Sequence, residues 1–209
     1  ASNLTQVNLA SLVDPNSASI FYITIDHNTR LKGASGVTGA TGVNGSKGIN
    51  GNSFIGGRDI NGGTGGTGGN GDIGGIGGEA LDLAGFSGKK VTIINNGIIE
   101  GGNGGNGGNG GGGGIGGIGA NLVGDHHENS GRCSRPSYTK GGAGGKGGTG
   151  GTGGNAGVAI INIVGIDLIL KGNPSSQGIQ GNQGDNGKIG NKGANGQFIP
   201  HRSCKYRRW

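Results

Sequence analysis

Glycine returns at every third position through five separate stretches of this chain, and that beat restricts the backbone more than any other feature. A repeat of three matches the extended helix of polyproline II type, which turns once in three residues and has no internal hydrogen bonds. Glycine at each third place strips one long edge of side chains. Stripped edges can approach until the N–H and C=O groups of neighbouring segments bond. A flexible glycine linker would show irregular spacing and serine filler, which the regular period opposes. Collagen shares the G-x-y repeat but needs imino acids, and Pro15, Pro136, Pro174 and Pro200 all lie outside the glycine stretches.

Stretches 33–51 and 178–196 read G-x-y, whereas 62–78, 101–119 and 141–157 read mostly GGx. Each spans about 50–60 Å at the polyproline rise. The expected fold class is therefore a polyglycine-II bundle of five antiparallel glycine-rich helices, with β-strand segments at one end and almost no α-helix. The GGx stretches have two bare edges and are expected inside, with the G-x-y stretches at the periphery. Ile73, Ile76, Ile115 and Ile118 are expected to seal gaps at one end or along one face. Ordering so much glycine costs entropy, so the backbone hydrogen bonds must be nearly complete.

The interruptions alternate in character. IFYITIDHNTRLK (20–32), the 81–100 insert and VAIINIVGIDLILK (158–171) are rich in Ile, Val and Leu with strand-type alternation. Segments 52–61, 120–140 and 197–209 are irregular. Stretches of similar length joined by short connections run up and down, which sends the strand inserts to one end and the irregular segments to the other. The expected organisation is a strand-containing base or attachment segment at 1–32, a bundle at 33–196 with strand inserts 81–100 and 158–171, and a tip tail at 197–209. Hydrophobic residues make up only 29% of the chain, too little for an ordinary core. No apolar run approaches the roughly 20 residues of a membrane span. Residues 1–31 lack the basic start and apolar core of a signal peptide. With no methionine, even at position 1, the chain is expected to be processed or a fragment.

The irregular segments carry eight basic side chains against three acidic ones, most of the formal net charge of +6. Phe54 and Arg58 stand in the first. His126, His127, Arg132, Arg135 and Tyr138 stand in the second. Phe198, Arg202, Tyr206, Arg207, Arg208 and Trp209 stand in the tail. Arg, Tyr and Trp dominate recognition hot spots, and loops on a rigid scaffold are where binding concentrates. These residues form the candidate receptor-binding set; solvated connections with incidental charge are the bland alternative. Cys133 and Cys204 also fall there, and a disulfide between them is the simplest reading for an extracellular particle, with two free thiols the alternative. Both cysteines with His126, His127 and His201 are also suitable zinc ligands, but their spacing matches no regular motif. No metal, cofactor or catalytic residue is expected. GxSxG and GK[ST] are absent, so an enzyme is not expected. KYRRW at the end is basic, but no nucleic-acid-binding motif accompanies it.

The strand-then-glycine pattern VTIINNGIIEGGNGG, with glycine blocks alternating with variable loops over about 92–196, resembles the distal tail-fibre adhesins of T-even-like bacteriophages. The resemblance implies a glycine sandwich whose distal loops bind a bacterial outer-membrane protein or lipopolysaccharide. A trimeric tail-fibre protein would hold the base, and the protein would be extracellular, in the virion, without membrane insertion. The chain departs from that pattern in its aromatic, basic tail. Glycine bundles also resemble the antifreeze protein of snow fleas; Thr64, Thr67, Thr149 and Thr152 supply short ladders of that kind, with Lys146, the strand inserts and the charged irregular segments standing against it. A structural fibre or capsid-decoration protein is a third possibility.

Overall fold

The computed structural model describes residues 2–51, 61–120, 122–123, 139–195 and 197–199. Its strands are β1 (Ser2–Thr5), β2 (Val7–Asn8), β3 (Ile20–Ile25), β4 (Thr29–Lys32), β5 (Leu81–Asp82), β6 (Lys90–Asn95), β7 (Ile98–Glu100), β8 (Leu122–Val123), β9 (Ile160–Ile161), β10 (Asp167–Gly172) and β11 (Phe198–Ile199). A 3-10 turn at Leu9–Ser11 is the one helical element among the described residues. It is capped by Asn8, whose side chain accepts from the Ala10 N–H at 2.9 Å.

The expected bundle of five antiparallel polyglycine-II helices is overturned. The regular structure consists of parallel strands: three three-stranded sheets ordered β1-β4-β7, β10-β6-β3 and β2-β5-β9, and the pair β11-β8. The Ile- and Val-rich inserts supply these strands, because branched side chains pack well on a pleated surface. Nor do the glycine stretches all run antiparallel. Gly42 and Gly45 donate to Asn109 and Gly112, so 33–51 and 101–119 run parallel, whereas Gly63 and Gly66 donate back to Ile49 and Ser46. Glycine N–H groups of the stretches, such as Gly36, Gly65 and Gly104, donate to segments distant in sequence rather than to carbonyls of their own turn.

Two compact units partition the chain, each assembled from separate pieces: Ala1–Ala40, Asp72–Gly108 and Gly151–Gly184, and then Thr41–Gly71, Asn109–Gly150 and Asp185–Trp209.

The first unit contains the three larger sheets and the hydrophobic core. Strands β3, β6 and β10 stack in register, Phe21 beside Val91 beside Leu168. The chain then turns a corner and pairs again as β4 and β7. At the β6 corner a Cβ on Gly97 would lie 2.2 Å from the Thr29 carbonyl oxygen, so only glycine fits. Asn95, buried, holds the corner from inside: its Oδ1 accepts from the Gly97 N–H at 3.1 Å and its Nδ2 donates to the Asn173 carbonyl at 2.9 Å. Phe86, Leu83, Val91 and Ile93 are fully buried, and Phe21 meets Phe86 edge to face with centroids 5.0 Å apart. Each such burial contributes about 1.5–3 kcal/mol. A core of this kind is small but sufficient to fix the sheets.

In the second unit the glycine stretches themselves form the body. Stretch 109–119 bonds to all four others: Gly111 donates to Gly69, Gly113 to Lys188, and it receives from Gly45 and Gly148. The isoleucines expected to seal gaps do not. Ile115 and Ile118 of this unit, and Ile73 and Ile76 of the first, stand exposed, because the third position of each GGx triplet points away from the neighbouring segments.

Candidate functional site

Asparagines set the local geometry of the second unit. A glycine lattice leaves some N–H groups without a backbone partner, and an asparagine on the adjacent segment supplies one. Asn44 accepts from the Gly112 N–H at 2.8 Å, Asn109 from Asp185 at 2.8 Å, Asn70 from Thr149 at 3.0 Å and Asn186 from Gly150 at 2.9 Å. These side chains link neighbouring segments and leave the surface beyond them to threonine, lysine and small apolar groups.

The same bonds tie together the points from which the three irregular segments depart. Gly51, at the start of the first, donates to Ile118 at 2.8 Å. Asn61, at its end, accepts from the Lys140 N–H at 2.9 Å, and Gly62 donates to the Lys140 carbonyl at 2.9 Å. Gly119, before the second segment, donates to Ala194 at 2.9 Å, and Asn195 accepts from the Gly141 N–H at 3.1 Å. Buried Thr139 donates its hydroxyl to the Ala120 carbonyl, closing the neck of the 120–140 segment. Beyond the neck, β8 and β11 pair in parallel, with Phe198 opposite Leu122 and Ile199 opposite Val123. Backbone bonds thus join the root of the tail to the root of the middle segment.

Phe198 is the only candidate residue whose backbone is described, on β11. Phe54, Arg58, His126, His127, Arg132, Arg135, Tyr138, Arg202, Tyr206, Arg207, Arg208 and Trp209 lie outside the described residues, as do Cys133 and Cys204. Among the described residues no group of three metal-type ligands is assembled. No helix there is long and apolar enough to cross a membrane.

Charge divides between the units. By sequence the second unit holds twelve basic and four acidic side chains, the first five basic and seven acidic. In the described part of the second unit, Lys47, Lys140, Lys146, Lys188 and Lys192 are exposed, with Asp185 the one acidic partner in charge. The lysines of the glycine stretches were not among the sequence candidates. Their signal was their position outside the glycine beat, and it becomes meaningful only once the segments lie side by side.

No family model matches the chain, and no curated protein does. Among solved structures, a springtail antifreeze protein from Granisotoma rainieri, described as a nine polyproline type II helical bundle whose crystal waters match the ice lattice, aligns at 26% identity. The alignment covers 84% of this chain and 98% of that one, with a TM-score of 0.17. Superposition that poor carries neither a fold nor a functional argument.

Proposed function

We propose that the chain is a receptor-binding adhesin of the tail-fibre type, recognising an anionic bacterial surface through segments 52–61, 120–140 and 197–209 without catalysis. The observation that carries the reading is the convergence of all three segment roots on hydrogen-bonded neighbours of one unit, joined by the β8–β11 pair. That unit also has the basic excess. Arginine grips phosphate or carboxylate bidentately, so lipopolysaccharide and acidic loops of an outer-membrane protein are the targets this chemistry favours. The fibre partner belongs with the first unit in this reading, and the protein with the virion.

Adsorption to cells tests it. A Trp209→Ala, Arg208→Ala double variant should fold normally and lose most cell binding, roughly tenfold or more for two hot-spot side chains. Undiminished binding, together with undiminished binding by a chain whose three segments are shortened, sinks the proposal. An ice-binding reading has one observation in its favour, the exposure of Thr64, Thr67 and Thr149 on the second unit. Thermal hysteresis without cell adsorption would replace the first reading with that one.

A further inference from the structure

Strand β3 closes the β10-β6-β3 sheet on one side, and its outer edge meets no other strand among the described residues. Lys90 N–H donates to the Ser19 carbonyl at 3.0 Å and Asn96 N–H to Ile25 at 2.8 Å. In a parallel ladder such bonds alternate, so residues 19, 21, 23 and 25 bond β6, and the backbone groups of Ile20, Tyr22 and Thr24 face outward. Proteins normally guard an open edge with charge, proline or a short strand. None of these is present. β3 is six residues long, IFYITI, with no charge within the strand, and Asp14 and Asp26 are the only charged residues in 2–26. Tyr22 is 73% exposed and Ile20 52%. At the far side of the same sheet, β10 is guarded by Asp167 and Lys171. Beside β3 lies a mostly apolar groove of about 250 Å³, lined by Leu4, Leu9, Leu12, Ile23 and Ile25 among others, with Asp26 its one charged lining residue.

We propose that the open edge of β3 is a strand-addition site, taking an extended, uncharged, apolar segment of a partner protein as the fourth strand of this sheet. The row of outward N–H and C=O groups calls for an extended backbone, since nothing else matches their spacing. The absence of charge within β3 itself calls for an uncharged segment. The groove accepts that segment's alternate apolar side chains, which in a strand point to one face. A second copy of this chain is the poorer occupant: its own open parallel edge, β10, would bring Asp167 and Lys171 against Ile20 and Thr24. Strand addition at β3 does not depend on what the loops of the second unit bind, and its test involves no cells.

The probe is a fluorescent synthetic peptide carrying VTIIN, the uncharged part of β6 that already pairs with β3 in parallel. It should bind the full chain saturably and slow hydrogen exchange at the Tyr22 and Thr24 amides, leaving Ile23 unchanged. Thr24→Pro removes one outward N–H and should weaken binding roughly tenfold. Should that variant fail to fold, Ile20→Lys with Tyr22→Lys keeps every backbone group and places charge on the edge, and it should weaken binding as much. Absent binding, equal binding by the variants, or unchanged exchange at Tyr22 and Thr24 overturns the proposal. So does sedimentation showing that the parent dimerises through this edge.

Discussion

A run of five glycines, 110–114, shows how differently neighbouring residues of one kind can be constrained. A Cβ on Gly111 would sit 2.0 Å from the Val43 carbonyl oxygen and 2.5 Å from its carbon, both backbone atoms held by the lattice. A Cβ on Gly112 would meet only the Asn44 Oδ1 at 3.3 Å and the Lys188 oxygen at 3.8 Å. Gly111→Ala should therefore destabilise by about 2–3 kcal/mol or more, the range of an overpacked interior. Gly112→Ala should stay within about 1 kcal/mol of the parent, because losing glycine's freedom in the unfolded chain offsets a small adjustment of Asn44. Urea unfolding of both variants checks this. Similar losses in the two would mean that the outward third position is not free. Gly112 occupies the place that Asn103, Asn106, Asn109, Ile115 and Ile118 occupy elsewhere in the stretch. The glycine beat marks it only ambiguously, since either phase of the run is glycine.

Among the elements, β4 and β7 are joined by charge as well as by backbone. Glu100 at the end of β7 bonds Arg30 and, at 3.4 Å, Lys32 on β4. The hydrogen bond from Arg30 lowers the Glu100 pKa most, burial opposes it, and the fields of Lys32 and Arg30 lower it further. A carboxylate depressed in the folded state contributes stability that is complete above its unfolded pKa and is lost as pH falls through the folded one. The melting temperature should thus drop on acidification below about pH 4.5, and Glu100→Gln should flatten that dependence. A variant with the parent's acid profile would show the pair to be inert. The strands around this pair were legible in the sequence, because Ile, Val and Leu alternate in the 20–32, 81–100 and 158–171 inserts. Their parallel pairing was not. Alternation fixes which side chains face the core, but it is the same whether a neighbouring strand runs up or down.

At the scale of the whole chain, the partition of charge is the consequential property. Lysines and arginines scattered through the sequence collect in the second unit because each glycine stretch contributes one part of itself to each unit. Adsorption driven by that excess should weaken as salt rises, with most of the loss by about 0.15 M, where the screening length is about 8 Å. Cell binding measured across a salt series checks it; flat binding would mean that contact is apolar. The sequence by itself determined the glycine beat, the strand-forming inserts 20–32, 81–100 and 158–171, and that three basic segments interrupt the repeat; β8 and β11, inside two of those segments, it did not show. Segment roots could be placed only by the tertiary structure, and so could the asparagine bridges, the free place at Gly112 and the open edge of β3. The bundle class inferred from the beat failed for a related reason. A period of three is satisfied equally by any slip of three residues, and by parallel or antiparallel neighbours. The bonds that choose among these join residues such as Gly45 and Gly112, or Gly65 and Ala143, which local sequence cannot connect. Register comes from the stacked strands and from asparagine oxygens meeting particular N–H groups, and those contacts exist only once distant segments have come together.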